Sequence, residues 1–475
     1  MKRLLSVAEA ENLSIEETWR LYSAHVSASQ VRLIGSFGFG QEVVERAEGC
    51  YIYTRSGKKL LDLTGGIGVL NHGHNHPRIL ETRKRFSELK KMEVHKNFFS
   101  PYVAVLAHNV AALLPGDLNI SYFPNSGGEA VEGSVKMAYK FHKGTRSKIL
   151  HADISFHGKL LGAAGLTGSP ELHFKFPTID GSHSFKYDDI SSFKQSLEEC
   201  RNRDDTCDVY AVIIEPLNAS TMRQCSPEFL FELRKICDRE GIILIFDEVY
   251  TGWGKTGFLF NFMRCDGLIP DIVVYAKSFG GGKASIAGYT SRDFVYRGAY
   301  DNLLDATLHS TTYFGFGEET ATAIEAINII VDDELVLRAK WIGERFESGL
   351  VKILLRHDKS PFTLNGSGAL WGINLEKTWV HNFLERLTSL LPGEFFNDPK
   401  VANKIILGAI INNLYEDFGI VSYYGSNIEN PLIISFPLIA GEPEIDHAIE
   451  ALEKCFSDSL AKKVAKFILV RLGSV

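Results

Sequence analysis

Four short apolar runs constrain the fold more than any other feature of this chain. They are KILHAD (148–153), YAVIIEP (210–216), GIILIFDEV (241–249) and DIVVYAK (271–277). Each is rich in aliphatic residues and continuous in character rather than alternating. A strand with one wet face alternates apolar and polar residues. A continuous run marks a parallel strand covered on both faces. Helical stretches such as VAVLAHNVAALL (103–114) and EAVEGSVKMAYKFH (129–142) are interspersed with them. Strands alternating with helices predict an α/β fold around a parallel sheet.

The flanking regions read differently. The first forty residues are helical in pattern up to GSFGFGQE, and YIYTRSGKKLLDL (51–63) reads as a β-hairpin around Ser56-Gly57. Beyond about residue 320 comes one long helical stretch (319–354). An irregular insertion, SLLPGEFFNDPKVAN (389–403), and a helical tail (442–466) follow. At about 150 residues per domain, 475 residues allow three domains. The pattern reduces these to two: a large α/β domain over 70–325, and a smaller domain assembled from 1–69 and 326–475.

Composition excludes several classes. Apolar residues make up 45% and charged residues 23%, so a sizeable core is available. A net charge of −7 argues against a general binder of phosphate backbones. Seven scattered cysteines without a C-x-x-C pair predict a reducing, cytoplasmic location. The opening MKRLLSVAEAENLS lacks the apolar core of a secretory signal, and no run is long and apolar enough for a bilayer. Repeats of 20–50 residues are absent from the sequence. Glycine is in excess, at 42 residues. Its positions matter most.

Three of those positions carry chemistry. Asn125-Ser126-Gly127-Gly128 precedes a helix opened by Glu129. Glycines admit close backbone approach, and unpaired N–H groups at a helix start attract phosphate. Alone, the segment reads better as an ordinary loop with an N-cap serine. Next, an apolar strand ends in Asp247-Glu248. Carboxylates at that end of a parallel strand lie where α/β sheets bind ligands, and a buried Asp needs a cationic partner. The alternative is a loop cap. Third, the last apolar strand runs directly into Lys277. A lysine there is costly unless paired or used covalently, and desolvation suits it to Schiff-base formation. Lys283 reads as a loop residue. The Gly254-Lys255-Thr256 triplet is no phosphate loop, because that pattern needs glycine where the chain has Val249. A phosphate site, an acid for a ring nitrogen and a nucleophilic lysine together form the kit for pyridoxal phosphate.

On these motifs the chain resembles the class III, or ω-/ornithine/GABA-type, aminotransferases. The resemblance runs from GGIGVLNHGHNHP through NSGGEAVE, Ser155-Phe156-His157-Gly158, Ile214-Glu215-Pro216, IFDEVYTGWGKTG and AKSFGGGK to LHSTTYFGFGEETATAIEA. It implies fold type I: a mostly parallel seven-stranded sheet flanked by helices, plus a smaller α+β domain. It also implies roles. Lys277 would bond the cofactor and shuttle the proton. Asp247 would pair with the pyridine nitrogen, with Glu215 orienting the groups around it. Val249 and Phe156 would flank the ring. Ser126, Gly127 and Gly128 would hold the phosphate, with His157 in the same cofactor site. Tyr250 stands where some members carry Gln beside the ring hydroxyl. Thr312 would reach the phosphate of a neighbouring subunit, making a homodimer with shared active sites. The resemblance makes His72, His74 and His76 loop residues rather than metal ligands.

Two departures bear on substrate. Members that use α-amino acids carry an Arg in a stretch matched here by LIISFPLIAGEPEID, and Ile433 stands at its position. The Glu that pairs with that Arg is replaced by Ser220. A bidentate Arg is the usual reader of a carboxylate, and Ile433 cannot serve. Arg223 is one substitute cation; its plainer reading is a solvated loop residue. The expectation is an aminotransferase moving an amino group between an amine or ω-amino compound and an oxoacid, aldehyde or ketone. An aminomutase, decarboxylase or racemase would use the same Lys277 and cofactor. Membrane and nucleic-acid partners are not expected.

Overall fold

A computed structural model describes residues 3–36, 38–168, 176–355, 362–389, 400–425 and 429–472. Its centre is a seven-stranded sheet. In chain order the strands are β1 (Leu118–Tyr122), β2 (Lys148–Ala152), β3 (Ser182–Phe185), β4 (Val209–Ile214), β5 (Ile243–Asp247), β6 (Ile272–Tyr275) and β7 (Gly288–Arg292). The spatial order is β1-β7-β6-β5-β4-β2-β3. Strands β3, β2, β4, β5 and β6 run parallel, whereas β7 is antiparallel to both β6 and β1. The four apolar runs are the four central parallel strands. Every residue of β4, β5 and β6 is buried, as two-sided coverage requires. This is the α/β fold, with a mostly parallel sheet, that the sequence predicts.

Register decides what this sheet can do. Ile214 lies beside Phe246, and Asp247 beside Val274. The carboxyl ends of β4, β5 and β6 are therefore level, so Glu215, Asp247 and Lys277 emerge along one edge. Local signals set those ends. Helix Pro227–Glu240 starts with Pro after the N-cap Ser226 and stops at Gly241, whose φ of 64° is left-handed. That stop turns the chain directly into β5.

The hairpin is present as Tyr51–Thr54 paired with Lys59–Asp62. It sits in a four-stranded sheet whose last member, Ile420–Val421, comes from near the far end of the chain. A second four-stranded sheet joins Phe362–Ser367, Leu370–Leu375, Leu432–Ser435 and Tyr423–Tyr424.

Two expectations change. The stretch 319–354 is two helices, Gly317–Asp332 and Leu335–Leu355, broken where Glu334 takes a left-handed φ of 50°. The tail likewise divides into Glu442–Ser457 and Leu460–Leu472. The apolar periodicity continues across both breaks, which is why the sequence reads through them. Most of the insertion expected at 389–403 lies outside the described residues, and its last three residues open helix Val401–Phe418. No helix among the described residues is long and apolar enough to cross a membrane.

Candidate active site

A cavity of about 330 Å³ opens at the carboxyl edge of the large sheet. It is lined by Ser126, Gly127 and Gly128 from a helix start, Phe156 and His157 from the segment after β2, and Glu215, Asp247, Val249, Tyr250 and Lys277 from the strand ends. The structure thus brings together every expected site residue but one. Thr312 lies outside the cavity, exposed in a turn of its own chain.

The acid end is a hydrogen-bonded cluster. One Asp247 oxygen, Oδ1, accepts the Val249 N–H at 2.9 Å. The other, Oδ2, lies 2.8 Å from His157 Nδ1, and both side chains are almost wholly buried. His157 Nε2 is buried without a partner. Beside them, Glu215 accepts the N–H groups of Phe156 (2.8 Å) and Ala219 (2.9 Å) and the Asn218 amide (2.7 Å). Burial pushes its carboxyl up to about 7, with His157 lowering it and the Asp247 charge raising it. Asn218 was not legible as a site residue. Its Oδ1 also accepts the N–H groups of Ser220 and Thr221, fixing the loop after β4.

At the helix start, Ser126 caps Gly127–Phe141 by accepting the Glu129 N–H at 3.3 Å. The helix's first N–H groups lie outside its own bonding ladder and face the cavity mouth. Gly127 sits in a crowded position. A Cβ there would lie 3.1 Å from the Val249 side chain and 3.6 Å from Ala276.

Lys277 terminates the run after β6 with a left-handed φ of 52°. For a residue with a Cβ this conformation is strained, and it persists only where the surroundings impose it. Burial pulls its ammonium down to about 7 against the raising charges of Asp247 and Glu215. Its Nζ sits 3.7 Å from the centroid of the Tyr250 ring. The Tyr250 hydroxyl pairs with that of Tyr423.

Two supporting residues were missed. Asn71 is fully buried; its amide donates to the Trp253 carbonyl (2.8 Å) and the Ser278 hydroxyl (3.0 Å). It ties the glycine loop after β5 to the turn that carries Lys277. The only sequence signal was its place in the glycine-rich segment before His72. Lys255, set aside as a failed phosphate loop, is fully buried and donates to the Phe436 carbonyl at 3.0 Å. Two of the three histidines go to separate partners, His72 to the Ala326 carbonyl and His74 to Asp62, each at 2.9 Å, and His76 precedes helix Pro77–Glu88. Lys283 is an exposed turn residue.

Behind Tyr250, which lines the cavity, Ile433 is 1% exposed and clusters with Leu217, Met222, Tyr250 and Leu370. Arg223 points its Nη1 to Glu429 at 3.3 Å instead. Lys277 is the only Lys or Arg among the described residues lining the cavity. A buried amine of lowered proton affinity, a carboxylate held for a cation, and a helix start for an anion together suit a phosphorylated aromatic aldehyde.

Comparison with known proteins agrees. The class-III aminotransferase family model matches residues 39–456. The putrescine aminotransferase of Pectobacterium atrosepticum is 34% identical over 331 residues, 68% of each chain. Among solved structures, the ornithine aminotransferase of Toxoplasma gondii superposes with a TM-score of 0.79 at 20% identity, covering 96% of this chain and 99% of that one. An (S)-enantioselective ω-transaminase from Thermomicrobium roseum gives 0.76 at 24%, covering 96% and 99%. These two show the fold. Enzymes of the matched class move amino groups with pyridoxal phosphate as cofactor, and the donor set in the cavity fits that group. The chain belongs to the class-III aminotransferases.

Proposed function

We propose that this aminotransferase takes its amino group from an amine or ω-amino compound carrying no carboxylate at the reacting carbon. The supporting observation is Ile433, buried in an apolar cluster where an arginine would read that carboxylate. Arg223, the nearest substitute considered, is engaged by Glu429. The acceptor is a carbonyl compound: an oxoacid, aldehyde or ketone.

Pyridoxal phosphate, when bound, supplies an aldehyde for the incoming amine and a ring that accepts an electron pair. The residues around it would divide the remaining work. Asp247, backed by His157, would hold a positive charge on the ring nitrogen. Phe156 and Val249 would flank the ring. Ser126, Gly127 and Gly128 would hold the phosphate at the helix start. Glu215 would orient the Phe156 backbone through the bond it already accepts. Lys277 would remove the proton from the amine-bearing carbon and return it on the cofactor side. That role needs a free amine near neutral pH, and burial supports it by lowering Lys277 to about 7.

A second copy of the chain would complete the site through Thr312. Support comes from the surface around it. Phe98, Phe99, Leu303 and Leu304 are 68%, 103%, 97% and 93% exposed, and Lys96 donates to the Thr311 carbonyl. Bare apolar side chains of this kind, on a chain whose Thr312 is exposed, favour a homodimer. Free cysteines throughout the described residues fit a cytoplasmic setting.

The test of the donor class is a half-reaction panel. Primary amines and diamines should discharge the cofactor's visible absorbance faster than α-amino acids. Lys277→Ala should abolish the change. Discharge by α-amino acids alone would remove the proposed donor class.

A further inference from the structure

We propose that Tyr250 is the positioning residue for Lys277: its ring face seats the lysine nitrogen whenever that nitrogen is not bonded to the cofactor, and biases it toward the protonated form. This rests on the reading of Lys277 as the proton-carrying group. The geometry is direct. Nζ lies 3.7 Å from the ring centroid, inside the range where an aromatic quadrupole attracts a cation. The attraction grows when water is excluded, and the Tyr250 side chain is buried while Lys277 is partly buried.

The ring is held on several sides. Its hydroxyl pairs with Tyr423, on the Tyr423–Tyr424 strand of a different sheet. A Cβ added at Gly68 would come within 2.8 Å of ring carbon Cε2, so the glycine turn is in contact with it. Leu217, Met222, Leu370 and Ile433 pack with it. A ring fixed this way stays put when the lysine departs and returns.

Charged groups act on the same nitrogen from several elements. Asp247 at the end of β5 and Glu215 after β4 favour the ammonium, whereas Lys255 in the glycine loop opposes it. His157 is bonded to Asp247. During transfer, Nζ would take the proton from the amine-bearing carbon and give it back to the carbon on the cofactor side, with the bound cofactor supplying the acceptor for the C–H electron pair. The ring seat would stabilise the ammonium between those two events.

The test uses the full chain freed of cofactor, with no substrate present. Acetylation of Lys277 by acetic anhydride is followed against pH by peptide mass spectrometry, with the exposed Lys283 as internal standard. Tyr250→Leu removes the ring and should lower the pH midpoint of Lys277 by about one unit. Tyr250→Phe keeps the ring and should leave it within a few tenths of wild type. Tyr250→Met, also without a ring, replaces the Leu variant if that chain fails to fold. An unchanged or raised midpoint in the ringless variant overturns the proposal. So does a Phe variant that shifts as far as the ringless one, since the hydroxyl pair would then be responsible. The assay reads proton affinity alone, so its failure is distinguishable from failure of the donor reading.

Discussion

Lys277 combines a left-handed backbone, partial burial and a lowered proton affinity. Its effect on stability has a definite sign. In the folded, cofactor-free chain it releases its proton near 7, whereas unfolded lysine keeps its proton to 10.5. Between those values the unfolded state binds more protons, so this lysine makes stability rise with pH. Lys277→Met should remove a slope of up to about 1.4 kcal/mol per pH unit between pH 7 and 9. Denaturant midpoints of cofactor-free wild type and variant at several pH values measure it. Parallel curves would show that Lys277 does not titrate in that window. Residues of this kind were legible because a strand running into a charged residue breaks a strong pattern. Asn71 and the partner of Tyr250 were not, because their contacts join segments far apart in sequence: Asn71 to Ser278, and Tyr250 to Tyr423. Asn218 was not, because its bonds to Glu215, Ser220 and Thr221 are local ones that any loop asparagine can make.

Among the elements, helix Gly127–Phe141 most directly couples folding to cofactor. Ser126 caps it, and its first turn opens on the cavity. Ser126→Ala should cost about 1 kcal/mol of stability through the lost cap. It should also weaken cofactor retention, since Ser126 is proposed to hold the phosphate. Thermal melts and a cofactor titration check both. A variant that melts lower but holds cofactor unchanged would restrict Ser126 to capping. The central strands were readable because two-sided burial leaves a continuous apolar run. The outer strands β1, β3 and β7 were not singled out. In β1, residues 119–122 are only partly buried or exposed, and three of the four residues of β3 are polar, so neither carries that signature. The helix breaks at Glu334 and near Asp458 were also missed, because each interrupts the backbone without interrupting the apolar spacing.

For the whole molecule, the main consequence of the proposed homodimer is a site shared between two chains. Thr312 is exposed and is not among the residues lining its own cavity, and Phe98, Phe99, Leu303 and Leu304 are bare apolar side chains on the same chain. Sedimentation at micromolar concentration should give a dimer, and Thr312→Ala should weaken cofactor retention without lowering the dimer's stability by more than about 0.5 kcal/mol. A monomer with full cofactor affinity would contradict the shared site. The sheet joining the N-terminal hairpin to Ile420–Val421 was invisible in the sequence, since a two-residue parallel strand has no periodicity to read.

The account centres on a lysine-based amino transfer whose pocket lacks a reader for the α-carboxylate. The most direct measurement is a stopped-flow half-reaction of the full-length holoenzyme, comparing 1,4-diaminobutane with an L-α-amino acid at equal concentration. A missing charge-assisted carboxylate contact is worth roughly 1.5–3 kcal/mol, so the diamine should react about tenfold to a hundredfold faster. A faster reaction with the α-amino acid would contradict the account.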